Sequence, residues 1–500
     1  MEASAAISVV SFAFQSFQGC VQAFEFFYTA QHIGVDGDLL RTLLEFEKCR
    51  LVSWTQTVGV EPNRFRSRRN LNWEMAGMLL EQLRVFLTTA DQLKDRYALE
   101  VTPESIDEKH SLLIAATAES SGIARLINKL KPGIYTTTGK IIQASNGPVK
   151  RLRWATRDRD KLKRFVGEIR GILDNLNLLL DQAERESTAT AYEDLIRGVI
   201  SLSSTTADVG QMIELVDDGP SPSGVTTNNI NNNHRQDIKA AAAFKQLRLC
   251  MGADKREDEV IPSPSTQVRS LVPILRKLRR TLRPWPGEPE LRWSGLEFAL
   301  YDRRQIVVQW KVTEGPEWDK YEDQMKCLAV LLMSITHDSF RSLRCIGYYP
   351  RRDQDAHGIV YEVPADSVDW AAKSLQDLIA CIPFAPLARR LEIALALAET
   401  VLQLHTAGWM HKNLHSDNII FLAPRGSTAQ AFLRSKPYIV GYDYARPDTA
   451  EAAQKYTQQV VGMDLEAELY RHPRARGVKR EEALLHHQIG VVEKLRWCRI

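Results

Sequence analysis

The sequence predicts a multidomain protein in which an all-α N-terminal helical bundle is followed by an α+β region, and three observations carry that prediction. Apolar residues recur at helical spacing from residue 5 to about residue 217. A stretch rich in Pro, Ser, Gly and Asn then interrupts the pattern at 217–236, and beyond about residue 291 short strand-like runs replace it. Length agrees, because 500 residues exceed what one hydrophobic core supports, and a prior of about 150 residues per domain gives two or three.

The first helix is expected over 4–30. Within it, Ala5, Ala6, Ile7, Val9, Val10, Phe12, Ala13, Phe14 and Phe17 fall in a stretch, 5–17, that carries no formal charge. Ile7, Val10, Phe14, Phe17 and Val21 form a stripe that suits the core of a resting bundle and, on exposure, a lipid surface. The N-terminus lacks the basic start of a secretory signal. Gln15, Gln18, Gln22 and Glu25 also interrupt the apolar run before a bilayer span is complete, so neither a conventional targeting segment nor a transmembrane helix is expected.

Further helices are expected over 37–58, 71–98, 103–131, 155–187 and 190–217, which completes a first domain at 1–217. The one beginning at 103 has Thr102 to cap free amides and Pro103 in the first turn, where its missing N–H would be unpaired anyway. Leu162, Phe165, Val166, Ile169, Ile172, Leu173, Leu176, Leu179 and Leu180 make the clearest stripe, with Arg164, Glu168 and Asp174 expected to point away.

Residues 218–290 read as a linker with short helices. The segment DDGPSPSGVTTNNINNNHRQ offers too little apolar surface to offset the entropy of ordering it. Its Asn-rich 228–233 stretch is too short for an amyloid-type repeat. A helical piece begins at DIKAAAAFKQL, and Ile261-Pro262-Ser263-Pro264 breaks the chain again. The basic run from Leu275 to Arg283 suits an acidic partner or anionic lipid, but its leucines fit better as a short amphipathic helix packed on a neighbour. After it, LRWSGLEFAL, QIVVQWKV and GIVYEVP read as strands, with helices over 317–335 and 385–407.

Composition bounds the function classes. With 44% hydrophobic and 25% charged residues the chain reads as soluble and globular, and a net charge of +3 argues against a chain-wide nucleic-acid surface. Cys20, Cys49, Cys250, Cys327, Cys345, Cys381 and Cys498 are scattered singly, without the close pairs a zinc or redox site needs, so they read as buried thiols in a reducing, cytoplasmic setting with no metal.

The strongest local motif is LHTAGWMHKNLHSDNIIFL at 404–422, a long helix running into a loop, which resembles the protein-kinase catalytic loop H-R-D-L-x-x-x-N. In that alignment His411 takes the His position, Lys412 the Arg, Asn413 the catalytic Asp, Leu414 the Leu and Asn418 the metal-binding Asn. A neutral amide at 413 can orient a hydroxyl but cannot take its proton. In PYIVGYDYARPD at 437–448, Gly441 stands where the magnesium-holding Asp of D-F-G would fall, and Asp443 comes two residues late. No G-x-G-x-x-G precedes the first strands. Lys311 resembles the strand lysine that pairs with nucleotide phosphates, with Glu322 as its candidate partner, but it reads equally well as an ordinary strand lysine. Farther on, Arg474 replaces the Glu that ends a kinase activation segment, and Leu485 precedes QIGVVEKLRW where an anchoring Asp is expected. The resemblance implies a degenerate protein-kinase-like domain over 291–500 with an incomplete C-lobe, hence a pseudokinase without enzyme activity, catalytic residues or cofactor.

The first 217 residues resemble the HeLo, or prion-inhibition and propagation, domain of fungal heterokaryon-incompatibility proteins. The stretches that carry this are ISVVSFAFQSFQGCVQAFEFF, GVDGDLLRTLLEFEKCRLVSWTQTVGV (34–60) and RWATRDRDKLKRFVGEIRGILDNLNLLL (153–180). The middle one contains Gly34, Asp36, Leu40, Leu44, Lys48, Arg50, Leu51 and Trp54 in the order of the family pattern. The resemblance implies a bundle that, on activation, exposes its first helix and permeabilises the plasma membrane in cell death. It also implies protein partners, self-association on activation and contact with membrane lipid, and no nucleic acid. The alternative is a non-catalytic signalling scaffold without membrane activity.

Overall fold

The computed structural model describes residues 2–28, 35–61, 64–65, 71–89, 93, 96–97, 99–102, 122–131, 151–154, 159–217, 228–253, 283–284, 296–301, 304–312, 318–363, 369–382, 384–442 and 445–447. Its contacts divide the chain into two units, Met1–Arg235 and Gln236–Ile500. The first is helical and the second combines antiparallel sheets with helices.

In the first unit α1 (Glu2–Tyr28) packs on α3 (Trp73–Thr88), and α2 (Val35–Thr57) packs on α5 (Arg159–Leu178) and α6 (Gln182–Leu202). Helix α4 (Gly122–Leu130) lies against α6, and α7 (Thr206–Asp217) follows. Phe17, Val21 and Phe24 of α1, Leu40, Phe46 and Trp54 of α2, Leu80 and Leu83 of α3, and Phe165, Ile169 and Leu176 of α5 are buried. Each large apolar side chain so buried contributes about 1.5–3 kcal/mol. Trp54 Nε1 also donates to the Leu176 carbonyl at 2.9 Å, so the indole brings no unpaired polar atom into the core. The Phe165 ring stacks on Phe86 at 5.4 Å and tilts against Tyr97 at 5.1 Å.

Several sequence expectations meet corrections here. The helix expected over 155–187 ends at Leu178, because Asp181 starts a new one. The Asp181 side chain accepts from the Glu184 amide while Glu184 reaches back to the Asp181 amide, a reciprocal cap that makes a restart cheaper than continuation. Ser203 and Ser204 likewise separate α6 from α7 within the single helix expected over 190–217. Helix α3 stops at Thr88, short of 98. The region is also not purely helical. Strands β1 (Val60–Glu61) and β2 (Arg64–Phe65) form one small antiparallel ladder, and β3 (Leu99–Thr102) and β4 (Arg151–Trp154) form another. Thr102, expected as a helix cap, pairs instead with Arg151, while 103–121 lie outside the described residues. Four-residue strands are too short for alternation to stand out against helical periodicity. Asp174, expected to face solvent, is half-buried and holds Arg50.

Helix α8 (Asn228–Ala253) contains the helical piece expected from DIKAAAAFKQL but begins earlier, within the Asn-rich stretch expected to stay unordered, and the unit boundary falls inside it. Its Ala241, Phe244 and Leu247 join the second unit's core, where the Phe244 ring meets Phe340 at 5.6 Å and Trp409 at 5.9 Å. That apolar stripe supplies the burial which the Asn-rich start cannot. The basic run at 275–282, the activation-segment positions, Asp443, Leu485 and the 488–497 segment lie outside the described residues.

The second unit contains a five-stranded antiparallel sheet in the order β5 (Arg283–Pro284), β6 (Leu296–Tyr301), β7 (Arg304–Val312), β9 (Ala356–Glu362), β8 (Cys345–Arg351). Helix α9 (Trp318–Ser334) packs on β8 and β9. A three-stranded sheet orders β10 (Trp370–Ser374), β12 (Ile419–Pro424) and β13 (Pro437–Ile439), and β11 (Trp409–Met410) pairs with β14 (Arg446–Pro447). Helices α10 (Leu375–Cys381), α11 (Leu387–Thr406) and α12 (Ala429–Arg434) complete it. Phe340, Tyr348, Tyr361, Trp409, Leu422 and Val440 fill the core between the sheets. Among the described residues no helix is long and apolar enough to cross a membrane.

Candidate functional site

The loop between β11 and β12 brings His411, Asn413 and Asn418 together, and Gly441, just after β13, closes on them. His411 is buried, with its ring edge-on to Tyr442 at 4.6 Å. Burial drives its pKa down to about 4, because an imidazolium there would lose its hydration, and a backbone bond with Val440 offsets only part of this. The neutral ring accepts from the Asn413 amide through Nδ1 at 3.3 Å. Between them Lys412 sits in the left-handed region at φ 64°, a conformation that costs a non-glycine residue free energy and tightens the turn.

Asn418 is the bracket of this loop. Its Nδ2 lies 2.8 Å from both the Asn413 carbonyl, to which it donates, and His415 Nε2, and its own carbonyl accepts from the Val440 amide at 2.9 Å. His415 Nδ1 faces Asp417 Oδ2 at 3.5 Å, which suits the tautomer that leaves Nε2 as the acceptor. Gly441, at φ +86°, is where a Cβ would run into the Asn418 side chain. An aspartate at 441 therefore meets two obstacles, the backbone conformation and the space already taken. The Gly441 amide donates to Gln309 Oε1 at 3.2 Å, and the Tyr361 hydroxyl reaches the same oxygen at 3.3 Å, so buried Gln309 ties β7 to this loop. Chemically the cluster offers amides and a neutral imidazole. Among the described residues no group of three or more His, Cys, Asp or Glu is placed to hold a metal.

Lys311 lies on β7 opposite His357 of β9. Glu322 on α9 takes hydrogen bonds from Trp318 at 3.2 Å and Arg352 at 3.1 Å and an ion pair from Lys326 at 3.1 Å. Burial would raise its pKa, but these bonds, from Lys326 first, hold it below the usual carboxylate value.

In the first unit the candidates on α1 separate by depth. Val10, Phe17 and Val21 are buried, Phe14 is half-buried with its ring 6.4 Å from that of Phe17, and the Ile7 side chain lies outside the described residues. Behind them lies a set of buried ions. Lys48 on α2 is 2.9 Å from both Glu25 of α1 and Glu45 of its own helix. Glu47, also on α2, holds Arg50 at 2.9 Å and Arg170 of α5 at 2.6 Å, and Arg50 reaches Asp174 at 2.5 Å. Burial works against the Lys48 charge, yet Glu45 and Glu25 push its pKa well above the ordinary lysine value. Residues 4–214 match the HeLo family model, prion-inhibition and propagation. No curated protein matches the chain.

Lys48 and Arg50 stand in the sequence as residues of the family pattern, but their burial with Glu45 and Glu47 does not show there, because pairs at i,i+3 look the same on a solvated face as in a core. Gln309, His415 and Asp417 in the second unit were missed as well. A single Gln in an apolar strand was the available sign for the first, and the two titratable residues inside the catalytic-loop motif were the sign for the others.

Proposed function

We propose that the protein is an effector or regulator of fungal cell death or heterokaryon incompatibility, in which a membrane-active HeLo unit is governed by a pseudokinase-like second unit. The match of residues 4–214 to the HeLo family carries this reading, and the construction of α1 supports it. Between Glu2 and Glu25 this helix holds no formal charge, and at about 1.5 Å per residue that stretch approaches the thickness of a hydrocarbon core. In the resting fold its apolar face is spent on α3. Membrane contact then belongs to another state, populated when a signal favours the release of α1.

The second unit acts as sensor or brake and transfers no phosphate. Asn413 replaces the proton acceptor, Gly441 replaces the metal ligand, and the Asn418 amide is committed to the loop itself. A non-catalytic interaction module without membrane activity is the second reading. It is favoured by a ridge of exposed apolar residues on and before α11, namely Phe384, Leu387, Leu391 and Leu395.

Dye release from anionic liposomes by residues 1–235, in a fragment that keeps its helical circular dichroism, tests the first reading against a Phe14→Glu variant. Release by the parent, reduced at least about tenfold in the variant, is the expected outcome, since a carboxylate in the apolar face is costly at bilayer depth. A folded fragment that releases no dye would leave the interaction module.

A further inference from the structure

Among the described residues, two side-chain bonds tie helix α1 to a charged group on a neighbouring helix, and their partners share a feature. Glu25 of α1 bonds Lys48 Nζ at 2.9 Å, and Lys48 also holds Glu45, three residues before it on α2, at the same distance. Ser16 of α1 donates to Glu81 on α3 at 2.8 Å, and Glu81 also holds Arg84, three residues after it on its own helix. A further bond, from Cys20 Sγ to the Leu80 carbonyl at 3.2 Å, is a weak thiol contact. Both charged groups that grip α1 therefore keep an opposite charge on their own helix.

We propose that these pairs form a release-ready latch, in which Glu45 takes over Lys48, and Arg84 takes over Glu81, when α1 leaves the bundle. The inference rests on the reading of α1 as the element that moves. Breaking a buried ion pair is expensive chiefly because the partner left behind is buried and uncompensated. Here the ammonium is already shared between two carboxylates. Departure of Glu25 leaves Lys48 paired with Glu45, so the barrier to release is set by the apolar face of α1 and not by an orphaned charge. Glu25, 23% exposed, lies near the end of α1 and rehydrates readily on release, whereas Glu45, 2% exposed, stays with α2.

The two carboxylates thus have opposite roles towards one cation, which gives a test with opposite signs. Hydrogen exchange by mass spectrometry on the full chain reads opening of α1 directly, without a membrane. Glu25→Gln removes the tie to α1 and is expected to speed exchange of α1 amides over 10–24 by about tenfold, leaving α2 and α5 unchanged. Glu45→Gln removes the fallback carboxylate on α2, raises the share of the Lys48 charge that Glu25 compensates, and is expected to slow α1 exchange. Acceleration by both variants would overturn the proposal, because it would make Glu45 an ordinary structural carboxylate, and so would no change in either. Should Glu45→Gln fail to fold, Glu45→Met, apolar and of similar length, carries the same test. Opposite signs here, together with no dye release from liposomes, would leave the latch standing and remove the membrane reading alone.

Discussion

The buried polar side chains of the HeLo region include the ions Glu45, Glu47, Lys48 and Arg170 inside the bundle, whereas the loop cluster of the second unit is built from buried Asn418 and Gln309, half-buried Asn413 and a neutral His411. The ions bond one another across helices, α1 to α2 and α2 to α5. The amides bond backbone at Asn413 and Gly441 and side chains at His415 and Tyr361. An ion with two partners can lose one and remain paired, which is what the release of α1 proposed above requires. The Asn418 amide has both its partners, the Asn413 carbonyl and His415 Nε2, within its own loop, so this second arrangement suits a loop that holds its shape. The backbone of Asn413, the side chain of Asn418 and the glycine at 441 serve to hold this turn.

The largest expected effect tests the ionic side of that contrast. Glu47→Ala leaves Arg170, 7% exposed, without this carboxylate partner in the core, while Arg50 retains Asp174. Removing one member of a buried pair costs about 3–5 kcal/mol. Hydrogen exchange should show it as lost protection across α2 and α5, with the second unit's strands unchanged. A loss below about 1 kcal/mol would mean that the ions do not organise the bundle, and the contrast would fail.

The neutral side has a pH signature. Folding holds His411 at a pKa of about 4 against an ordinary 6.5, because burial excludes the imidazolium, so the unfolded chain binds the extra proton first. Stability of the second unit should therefore be full above about pH 6.5 and fall as pH drops toward about 4, by up to about 3 kcal/mol for a shift of roughly 2.5 pH units. Exchange protection of β12 and β13 measured across that range reports it. His411→Gln, which can still accept from the Asn413 amide, should flatten the profile. A profile unchanged by that substitution would place the titrating group elsewhere.

How much of this was legible in the sequence differs between the units in the same way. The α5 stripe from Phe165 to Leu180 announced its buried face, since a 3.6-residue period needs only apolar positions. The Asp181 cap and the β3–β4 pair did not show, because a cap depends on where the neighbouring helix can afford to stop, and a four-residue ladder depends on a partner some fifty residues away in sequence. The α8 stripe through Ala241, Phe244 and Leu247 is legible in DIKAAAAFKQL, whereas the helix start at Asn228 is not, because the Asn-rich first turns carry no apolar period. At the site, the motif located His411, Asn413, Asn418 and Gly441. It left unexplained why 441 should be glycine, since that answer lies in the Asn418 side chain and not in the local sequence.

That last point yields the smallest and most specific expectation. Gly441→Ala places a Cβ against the Asn418 side chain and asks alanine to adopt φ +86°. The conformational part of the cost is about 1 kcal/mol, and the collision adds to it for a total of about 2 kcal/mol. Asn418→Ala alone loses the bonds to the Asn413 carbonyl and His415 and destabilises the loop on its own account. In the double variant the collision disappears while the φ cost remains, so the two single losses should exceed the loss in the double by roughly the steric part. Urea unfolding of all four proteins closes that cycle. Additive losses would mean that Asn418 can swing aside at no cost, and the loop would then be adaptable in the way the HeLo ions are, which is the difference between the two units in its most exposed form.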